Sequence, residues 1–380
     1  MKLLYVLGSF FPAQSGGPNN TVYWIAKSLV KEDVDVTVAS LSDGLTAEMQ
    51  NQYSIEPNKK NKISGISAYY FTYAFNRYLS YRFYWWLIKN IKKYDLVNLN
   101  SYFFPITWLS AFICVIYKVP FSIAPRGELE SNAMVYNSKV KKVLISSFLK
   151  WLFSASRFVL VTSNQEKRFT EKYFNSNKAF EVIPNYQDLQ ESCPPKVEEL
   201  CNKKNILYLG RIHPKKNIET LIKAFSEDIE KKVTPGKLII AGAGDESYLK
   251  ELVVLAGDCR NIVFAGHVTG KIKQRLLREA KVLVLPSHSE NYGNVVTESL
   301  QYGTPVIASR FTPWESIQKY GCGYWIDNDA KSMKIAIQKI FEKTDDDYFK
   351  MCQKSYDFVH EYCDVNKHSI SIKNLFQAYI

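Results

Sequence analysis

Short apolar runs recur along the chain and alternate with amphipathic stretches. In the first half these runs are KLLYVLG (2–8), VDVTVAS (34–40), DLVNLN (95–100), PFSIAP (120–125) and RFVLVTS (157–163). Runs that are apolar at nearly every position are typical of parallel strands with both faces buried. The stretches between them, such as TVYWIAKSLVKE (21–32) and YRFYWWLIKNIKKY (81–94), have helical periodicity. The pattern predicts strands that alternate with helices, as in α/β folds.

The second half repeats this scheme. Its predicted strands are NILYLGRI (205–212), KLIIAGAG (237–244), NIVFAGHV (261–268), KVLVLPS (281–287) and TPVIAS (304–309). The polar stretch near residues 185–204 contains a Pro-Pro pair and no periodicity, which is typical of a linker.

We therefore predict an α/β protein with two doubly wound, Rossmann-like domains that face a cleft. The predicted parts are an N-terminal domain (1–188), a linker (189–204), a C-terminal domain (205–344) and terminal helices (345–380) that pack back toward the first domain. Ligands of such sheets bind at the carboxyl ends of the strands, so functional residues are expected in the loops that follow strands.

Composition narrows the class of protein. The chain has 380 residues, 46% of them hydrophobic, which is enough for two cores. Seven Cys, without metal-ligand spacing, fit reduced thiols in the cytosol. The start, MKLLYVLG, fits a first strand better than a signal peptide. The longest apolar run, Phe103–Tyr117, is shorter than the roughly 20 residues that span a bilayer, and it predicts a buried helix.

Positive charge is concentrated in the first half. The net charge is +12, and residues 51–150 hold 14 Lys and Arg against 4 Asp and Glu. Basic and aromatic residues mix at helical spacing in 82–94 and again in 139–151, which suits an anionic membrane surface. The alternative is an aromatic stripe that faces the core, with a solvated Lys face.

The stretch ENYGNVVTE (290–298) combines two carboxylates with a predicted helix start. A helix that begins near Asn294 directs free backbone N–H groups at the preceding loop, and such a terminus attracts anions. Carboxylates beside an anionic ligand need hydroxyl groups from which to accept hydrogen bonds. The two carboxylates and the helix start together predict a ligand with both phosphate and hydroxyls, such as a nucleotide sugar. The alternative is a helix-start carboxylate at Glu298 and a surface charge at Glu290.

Other loops that follow strands add candidates. Arg211 and Lys216, in GRIHPKKNIETLIKAF, suit a diphosphate and the charge that develops on a departing phosphate, although a solvated basic loop is the alternative. The glycines of AGAGDESYLKEL lack the third Gly of a dinucleotide fingerprint, so NAD is poorly supported. The remaining candidates are Gly242 and Gly244, the backbone of His267 and Val268 at a base edge, and Gly16 and Gly17, followed by Asn20 or Thr21 as a helix cap. The alternatives are a structural role for His267 and a plain tight turn at Gly16-Gly17.

Taken together, GRIHPKKNIETLIKAF, LIIAGAGDESYLKEL and ENYGNVVTESLQYGTPVIAS resemble the group-1, or family-four, retaining glycosyltransferases of the GT-B fold. APRGELE (124–130), FVLVTSNQEKRF (158–169) and VIPNYQD (182–188) extend the resemblance, and TPWESIQKYGCGYWID (312–327) is similar to bacterial members that build O-antigen, capsule or exopolysaccharide.

The resemblance implies roles for these residues. Arg211 and Lys216 would bind the donor diphosphate, and Glu290 would contact hydroxyls of the donor sugar. The backbone of Gly293, Asn294 and Val295 would meet the phosphate, and Glu298 would hold the ribose hydroxyls. Gly16 and Gly17 would let the acceptor domain close on the donor.

One departure from the family is Arg126, which stands where many members carry His. Arg cannot act as a general base, because it keeps its proton, but it can stabilise charge. In the front-side mechanism that the resemblance implies, the leaving phosphate takes the acceptor's proton, so no base is needed. No cofactor or metal is expected: Asp33-Val34-Asp35 lies just before a strand, at the wrong end for a parallel-sheet site, and Asp327-Asn328-Asp329 follows a strand but lacks other acidic neighbours in sequence.

The sequence therefore predicts a hexosyltransferase that moves a sugar from a nucleotide-diphosphate-sugar, with UDP expected, to a glycan or undecaprenyl-diphosphate-linked acceptor. Its expected role is in O-antigen (lipopolysaccharide), capsule or exopolysaccharide synthesis, at the cytoplasmic face of a bacterial inner membrane. A sugar-nucleotide epimerase or a phosphorylase is the alternative among enzymes. A basic nucleic-acid-binding protein is the alternative from another class, but it leaves the paired carboxylates unexplained and no nucleic-acid partner is expected.

Overall fold

The computed structural model describes residues 1–13, 17–73, 80–129, 148–172, 178–189, 194–196, 200, 203–230 and 236–380. The chain forms two units. The first comprises Met1–Asp188 together with Asp364–Ile380, and the second comprises Leu189–Cys363. The predicted linker segment, 189–204, falls within the second unit.

The first unit is built on an eight-stranded sheet in the order β3-β4-β2-β1-β5-β6-β7-β8. All strand pairs are parallel except β3 with β4. The strands are β1 (Lys2–Leu7), β2 (Asp35–Leu41), β3 (Lys60–Ile63), β4 (Ile66–Phe71), β5 (Leu96–Asn100), β6 (Phe121–Ala124), β7 (Phe158–Val161) and β8 (Ala179–Val182). The sequence did not predict the β3–β4 hairpin or β8.

Helices cover both faces of this sheet. They are α1 (Gly17–Lys31), α2 (Ala47–Tyr53), α3 (Tyr81–Asn90), α4 (Pro105–Tyr117), α5 (Phe148–Ala155) and α6 (Asn164–Glu171). Alternate residues of β1 enter two cores, because successive side chains of a strand point to opposite faces. Leu4 and Val6 join the core beneath α3, α4 and α5, whereas Leu3, Tyr5 and Leu7 join the core beneath α1.

Helix α4 differs from its prediction as a buried helix. Ile106, Ile113 and Cys114 are buried, but Leu109, Phe112 and Ile116 are 40%, 44% and 57% exposed. The helix is apolar all round, yet only one face is covered by the sheet and its neighbours. Among the residues that the structure describes, no helix is both long and apolar enough to cross a membrane.

The second unit is built on a six-stranded parallel sheet in the order β11-β10-β9-β12-β13-β14. The strands are β9 (Asn205–Leu209), β10 (Leu238–Ala241), β11 (Ile262–Gly266), β12 (Ala280–Leu285), β13 (Val306–Ser309) and β14 (Gly323–Ile326). The helices are α7 (Ile218–Glu230), α8 (Glu246–Ala256), α9 (Gly270–Glu279), α10 (Asn294–Leu300), α11 (Glu315–Lys319), α12 (Ala330–Phe341) and α13 (Asp345–Tyr362). The two sheets, parallel except at β3, confirm the predicted pair of Rossmann-like domains.

The last helix, α14 (Val365–Gln377), belongs to the first unit. At its start, the backbone N–H of Val365 donates to the carbonyl oxygen of Gln187 at 2.9 Å. Near its end, the ring of Phe376 is 1% exposed and lies 6.4 Å from the ring of Tyr5 and 6.2 Å from that of Phe158. The helix thus closes the core beneath α1, against residues at the opposite end of the chain.

We expect Phe376→Ala to lower the free energy of unfolding of the first unit by about 3–5 kcal/mol, because it leaves a cavity beside Tyr5 and Phe158. Ile370→Ala on the same helix is the matched control, since Ile370 is 59% exposed and its loss should change stability by about 0.5 kcal/mol or less. Urea unfolding measures both variants, and equal midpoints would contradict the placement of α14 in this core.

Candidate functional site

The loops that follow β9 and β10 run side by side at the carboxyl edge of the second sheet. The backbone N–H of Gly210 donates to Ala241 at 3.0 Å, and that of Ile212 donates to Ala243 at 2.9 Å. In return, Asp245 N–H donates to the carbonyl oxygen of Ile212 at 3.0 Å. The parallel pairing thus continues past the ends of the strands into the loops.

This close approach requires glycine at both predicted positions in the β10 loop. A Cβ atom on Gly242 would lie 1.8 Å from the carbonyl oxygen of Gly210, and one on Gly244 would lie 2.0 Å from that of Ile212. Gly242 also has φ +155°. Contact with the neighbouring loop therefore accounts for both glycines, and a role toward a ligand stays a prediction.

Two more backbone contacts join the neighbouring loops to this edge. The N–H of Gly242 donates to Gly266 at 2.7 Å, which links the loops after β10 and β11. The N–H of His288 donates to Lys215 at 2.9 Å, which links the loop after β12 to the basic loop after β9. Directly after Gly266 in the sequence, the side chain of His267 is exposed and that of Val268 is half-buried.

An ion pair joins two of the predicted residues. The ammonium group of Lys216 donates to Oε1 of Glu290, and the hydroxyl of Ser287 donates to the same oxygen at 2.8 Å. The side chains of Lys216 and Glu290 are only 17% and 11% exposed. A carboxylate and a cation are therefore held together, largely out of water, where the loops after β9 and β12 meet.

Arg211 lies in the same basic loop with its side chain exposed. Its carbonyl oxygen accepts from the Tyr208 hydroxyl at 2.8 Å, and burial, reinforced by the charge of Glu290, raises the pKa of Tyr208. Burial and then the charge of Arg211 lower the pKa of His213, and Lys215 and Lys216 act in the same direction. The loop is thus a concentration of positive charge, and the exposed Arg211 side chain makes no hydrogen bond or ion pair with the residues that the structure describes.

The second predicted carboxylate, Glu298, lies on α10 and pairs with a residue that the sequence analysis missed. Lys273 on α9 contacts Oε1 of Glu298 at 2.8 Å, with side-chain exposures of 32% and 20%. Nothing in the local sequence around Lys273 indicated this partner, because the pairing depends on how α9 and α10 pack.

The predicted phosphate-binding backbone opens α10. Gly293 has φ +80°, and Asn294 is the first residue of the helix. The N–H of Val296 already donates to Gly293 within the first turn, at 2.9 Å. A Cβ atom on Gly293 would lie 3.0 Å from Leu285, so both the backbone conformation and the space favour glycine. Asn294 and Val295 are half-buried.

In the first unit, Arg126 is buried at the carboxyl end of β6. Its Nε and Nη2 donate to Oδ1 of Asn100 at 3.0 and 2.9 Å, and Nη1 donates to Oδ1 of Asn185 at 3.4 Å. Burial lowers the pKa of Arg126, while the charges of Glu166 and Tyr5 oppose that shift. Within the part of the chain that the structure describes, the buried Tyr5 hydroxyl has no hydrogen-bond partner.

Glu166 holds the turn that carries Arg126. Its carboxylate accepts from the N–H of Gly127 and from the N–H and hydroxyl of Thr162. Arg126 and Gly127 both have positive φ, at +55° and +78°, which is costly for Arg and needs such support. Burial raises the pKa of Glu166, and these hydrogen bonds and the charge of Arg126 oppose the shift.

The glycine loop is only partly described. Gly16 lies outside the described residues, and Gly17 is the first residue of α1. Asn20 and Thr21 lie inside α1, so the prediction that one of them caps this helix was wrong. Within the described part of the chain, no cluster of His, Cys, Asp or Glu is arranged to hold a metal ion.

Comparison with known proteins places two adjacent family models on the chain. The model "Glycosyltransferase Family 4" matches residues 15–191, and the model "Glycosyl transferases group 1" matches residues 191–356. The chain is 37% identical over 127 residues to an uncharacterized glycosyltransferase, MJ1607, of Methanocaldococcus jannaschii, covering 33% of this chain and 32% of the relative. It is 28% identical over 187 residues to the capsular polysaccharide biosynthesis glycosyltransferase CapM of Staphylococcus aureus, covering 48% of each.

Among solved structures, the fold is similar over 100% of both chains to Anabaena HepE in complex with UDP and glucose, with a TM-score of 0.74 and 17% identity. The two curated relatives are matched over only a third to a half of their own length. These matches support the expected GT-B architecture.

We expect Glu166→Gln to destabilise the first unit by about 2–4 kcal/mol, because the new amide group faces N–H and O–H donors and leaves buried Arg126 without a counter-charge. Glu171→Gln on the same helix is the matched control. Glu171 is 45% exposed in a 3.8 Å pair with Lys167, and its loss should cost about 0.5 kcal/mol or less. Similar urea-unfolding midpoints for both variants would refute the role of Glu166.

Proposed function

Since the chain belongs to the group-1 glycosyltransferases, we propose that it is a retaining hexosyltransferase that uses a nucleotide-diphosphate-sugar, with UDP as the nucleotide. The observation that carries the proposal is the Lys216–Glu290 pair beside the exposed Arg211. A donor of this class carries an anionic diphosphate next to neutral sugar hydroxyls. A cation suits the diphosphate, and a carboxylate beside it can accept hydrogen bonds from the hydroxyls.

In this proposal, Lys216 and Arg211 bind the diphosphate and stabilise the charge that grows on it as the bond to the sugar breaks. Glu290 accepts hydrogen bonds from sugar hydroxyls and so orients the reacting carbon. Glu298 and Lys273 would meet the ribose, and the backbone of Gly293, Asn294 and Val295 the phosphate. The positive charge comes from the protein, so the proposal needs no metal.

The front-side mechanism requires no general base. The bond between the sugar's anomeric carbon and the phosphate oxygen breaks, the acceptor oxygen bonds to the same face, and the acceptor's proton passes to the leaving phosphate. Arg126 would stabilise charge near the donor sugar. It would not act as a base, because its guanidinium group is already protonated and keeps that proton. Its hydrogen bonds go to two amide oxygens, and no carboxylate in the described part of the chain contacts it directly.

A role in bacterial surface polysaccharide synthesis is also proposed. The likeness to CapM supports it, although that likeness spans about half of each chain. The acceptor would be a glycan or a glycan linked to undecaprenyl diphosphate. An acceptor of the second kind lies in a membrane, which makes the surface of the first unit relevant.

We propose that α3 and α4 contact an anionic membrane. On α3, Tyr81 and Trp85 are 68% and 62% exposed. On the neighbouring α4, the exposed Leu109, Phe112 and Ile116 form one stripe. We call these five residues the α3–α4 surface.

The two helices that carry the α3–α4 surface contain no acidic residue. Residues 57–94 and 96–127 contain no Asp or Glu. Lys89 lies 4.3 Å from the ring of Trp85, and Lys92 lies 5.5 Å from that of Tyr117 at the end of α4. Exposed apolar side chains flanked by cations suit the headgroup region of an anionic bilayer.

A thermal-shift screen with UDP-, GDP- and ADP-sugars tests the donor. We expect UDP-sugars to stabilise the protein and Lys216→Ala to weaken their binding by about 10- to 100-fold, because a charged hydrogen bond contributes roughly 1.5–3 kcal/mol. Lys250→Ala is the control, since Lys250 is exposed on α8. Release of UDP from the donor without acceptor would favour the transferase over an epimerase or phosphorylase. No shift with any nucleotide would overturn the proposal.

Vesicle flotation tests the membrane surface. We expect the protein to float with phosphatidylglycerol-containing vesicles and not with neutral ones. Lys89→Glu with Lys92→Glu should reduce recovery by more than about tenfold, because each cation near such a surface contributes roughly 1 kcal/mol. Lys250→Glu with Lys271→Glu, two exposed positions of the second unit, makes the same charge change and should not. Equal recovery with neutral and anionic vesicles would count against the membrane proposal.

A further inference from the structure

A cleft opens at the carboxyl edge of the first sheet, where the connections after β1 and β2 begin. Phe11 and Pro12 follow β1, Asn20, Tyr23 and Trp24 belong to α1, and Met49, Gln52 and Tyr53 belong to α2. Its volume is about 550 Å³, within the range of small-molecule sites. No role has been given to it so far, and it lies wholly within the first unit.

Stacked aromatic rings form one wall of this cleft. The ring of Phe11 lies 4.1 Å from that of Tyr23, with 10° between their planes, and the ring of Tyr53 meets Phe11 edge-on at 5.3 Å. The hydroxyl of Tyr70 donates to the carbonyl oxygen of Phe11 and fixes the loop. The wall is therefore held in place before any ligand arrives.

Several polar side chains that line the cleft are available to a ligand, although the Tyr23 hydroxyl is hydrogen-bonded to that of Ser64 at 2.9 Å. The amides of Asn20 and Gln52 and the indole N–H of Trp24 make no hydrogen bond with any part of the chain that the structure describes. Three polar side chains without partners, next to a rigid aromatic wall, are suited to a ligand that has both apolar faces and hydroxyl groups.

Charge excludes several ligand classes. None of the described residues that line the cleft is Asp, Glu, Lys, Arg or His, so a nucleotide diphosphate or a lipid phosphate would find no counter-charge there. A purely apolar ligand would cover the amides and the indole N–H without replacing their bonds to water, which is costly. A sugar ring fits best, because its C–H faces stack on aromatic rings while its hydroxyls bond to amides.

We propose that this cleft binds a neutral sugar residue of the acceptor glycan. Identifying this sugar as part of an acceptor rests on the proposed transferase function, whereas the binding of a sugar in the cleft does not depend on it. The cleft thereby becomes a specificity site for the acceptor, separate in sequence and in unit from the Lys216–Glu290 pair that is assigned to the donor.

Saturation-transfer NMR on the full chain tests the proposal with a panel of methyl glycosides. The neutral probes are those of glucose, galactose, mannose and N-acetylglucosamine, and the charged probe is that of glucuronic acid. We expect transfer to at least one neutral glycoside and none to the glucuronide. Absence of transfer to every neutral probe would overturn the proposal.

Variants locate the binding. Gln52→Ala should weaken binding of the neutral glycoside by about 2- to 10-fold, the effect of one hydrogen bond. Gln52 is exposed and makes no hydrogen bond with the described part of the chain, so folding is not at risk. Trp24→Ala should weaken it by about tenfold or more, whereas Trp85→Ala, a Trp of the same unit that is 62% exposed, should have no effect. Wild-type affinity in Gln52→Ala would overturn the assignment even if Trp24→Ala unfolds.

The donor screen separates the two proposals. If UDP-sugars bind but no neutral glycoside does, the sugar-binding proposal for the cleft is refuted and the transferase proposal is unaffected. If glycoside binding depends on Gln52 but no nucleotide binds, the sugar-binding proposal for the cleft is supported and the transferase proposal is refuted. Lys216→Ala should bind the glycoside like the wild type, because it changes only the second unit.

Discussion

The ion pair between Lys216 and Glu290 is the contact on which the candidate site depends. Each charge is mostly removed from water, and neither can remain so without the other or a ligand that replaces it. The pair therefore ties the basic loop after β9 to the loop after β12, with the backbone bond from His288 to Lys215 as a second tie. A donor that separates the two charges must offer each a new partner, and a diphosphate joined to a sugar does so.

Much of this arrangement was predictable because parallel strands end at a common edge. The apolar runs identified most strands, and the rule that ligands bind where such strands end selected Arg211, Lys216, Glu290 and Glu298. Sequence spacing could not show which cation meets which carboxylate. Glu290 pairs with Lys216, but Glu298 pairs with Lys273, because that pairing is set by the packing of α9 on α10.

The remaining errors have separate causes, and the first is that periodicity does not report what covers a surface. Helix α4 is apolar on all sides and was predicted to be buried, yet its outer stripe is exposed. The β3–β4 hairpin was missed because its signs appear only in the structure. Lys60–Ile63 alternates in burial, and Ser64 and Gly65 both have the positive φ of a two-residue turn. Asn100, Asn185 and Glu166 were missed because their role is to hold Arg126, and only the fold brings them to it.

The return of α14 to the first unit has a consequence for synthesis. The segment 189–363 is continuous, so a ribosome completes the whole sequence of the second unit before it has made the helix that carries Phe376. Most of the first unit is therefore made before the second unit, yet Phe376 of its core is made only after the second unit is complete. Until then Tyr5 and Phe158 lack part of their cover, and a chain truncated near residue 363 would leave this apolar surface open to the chaperones that bind nascent proteins.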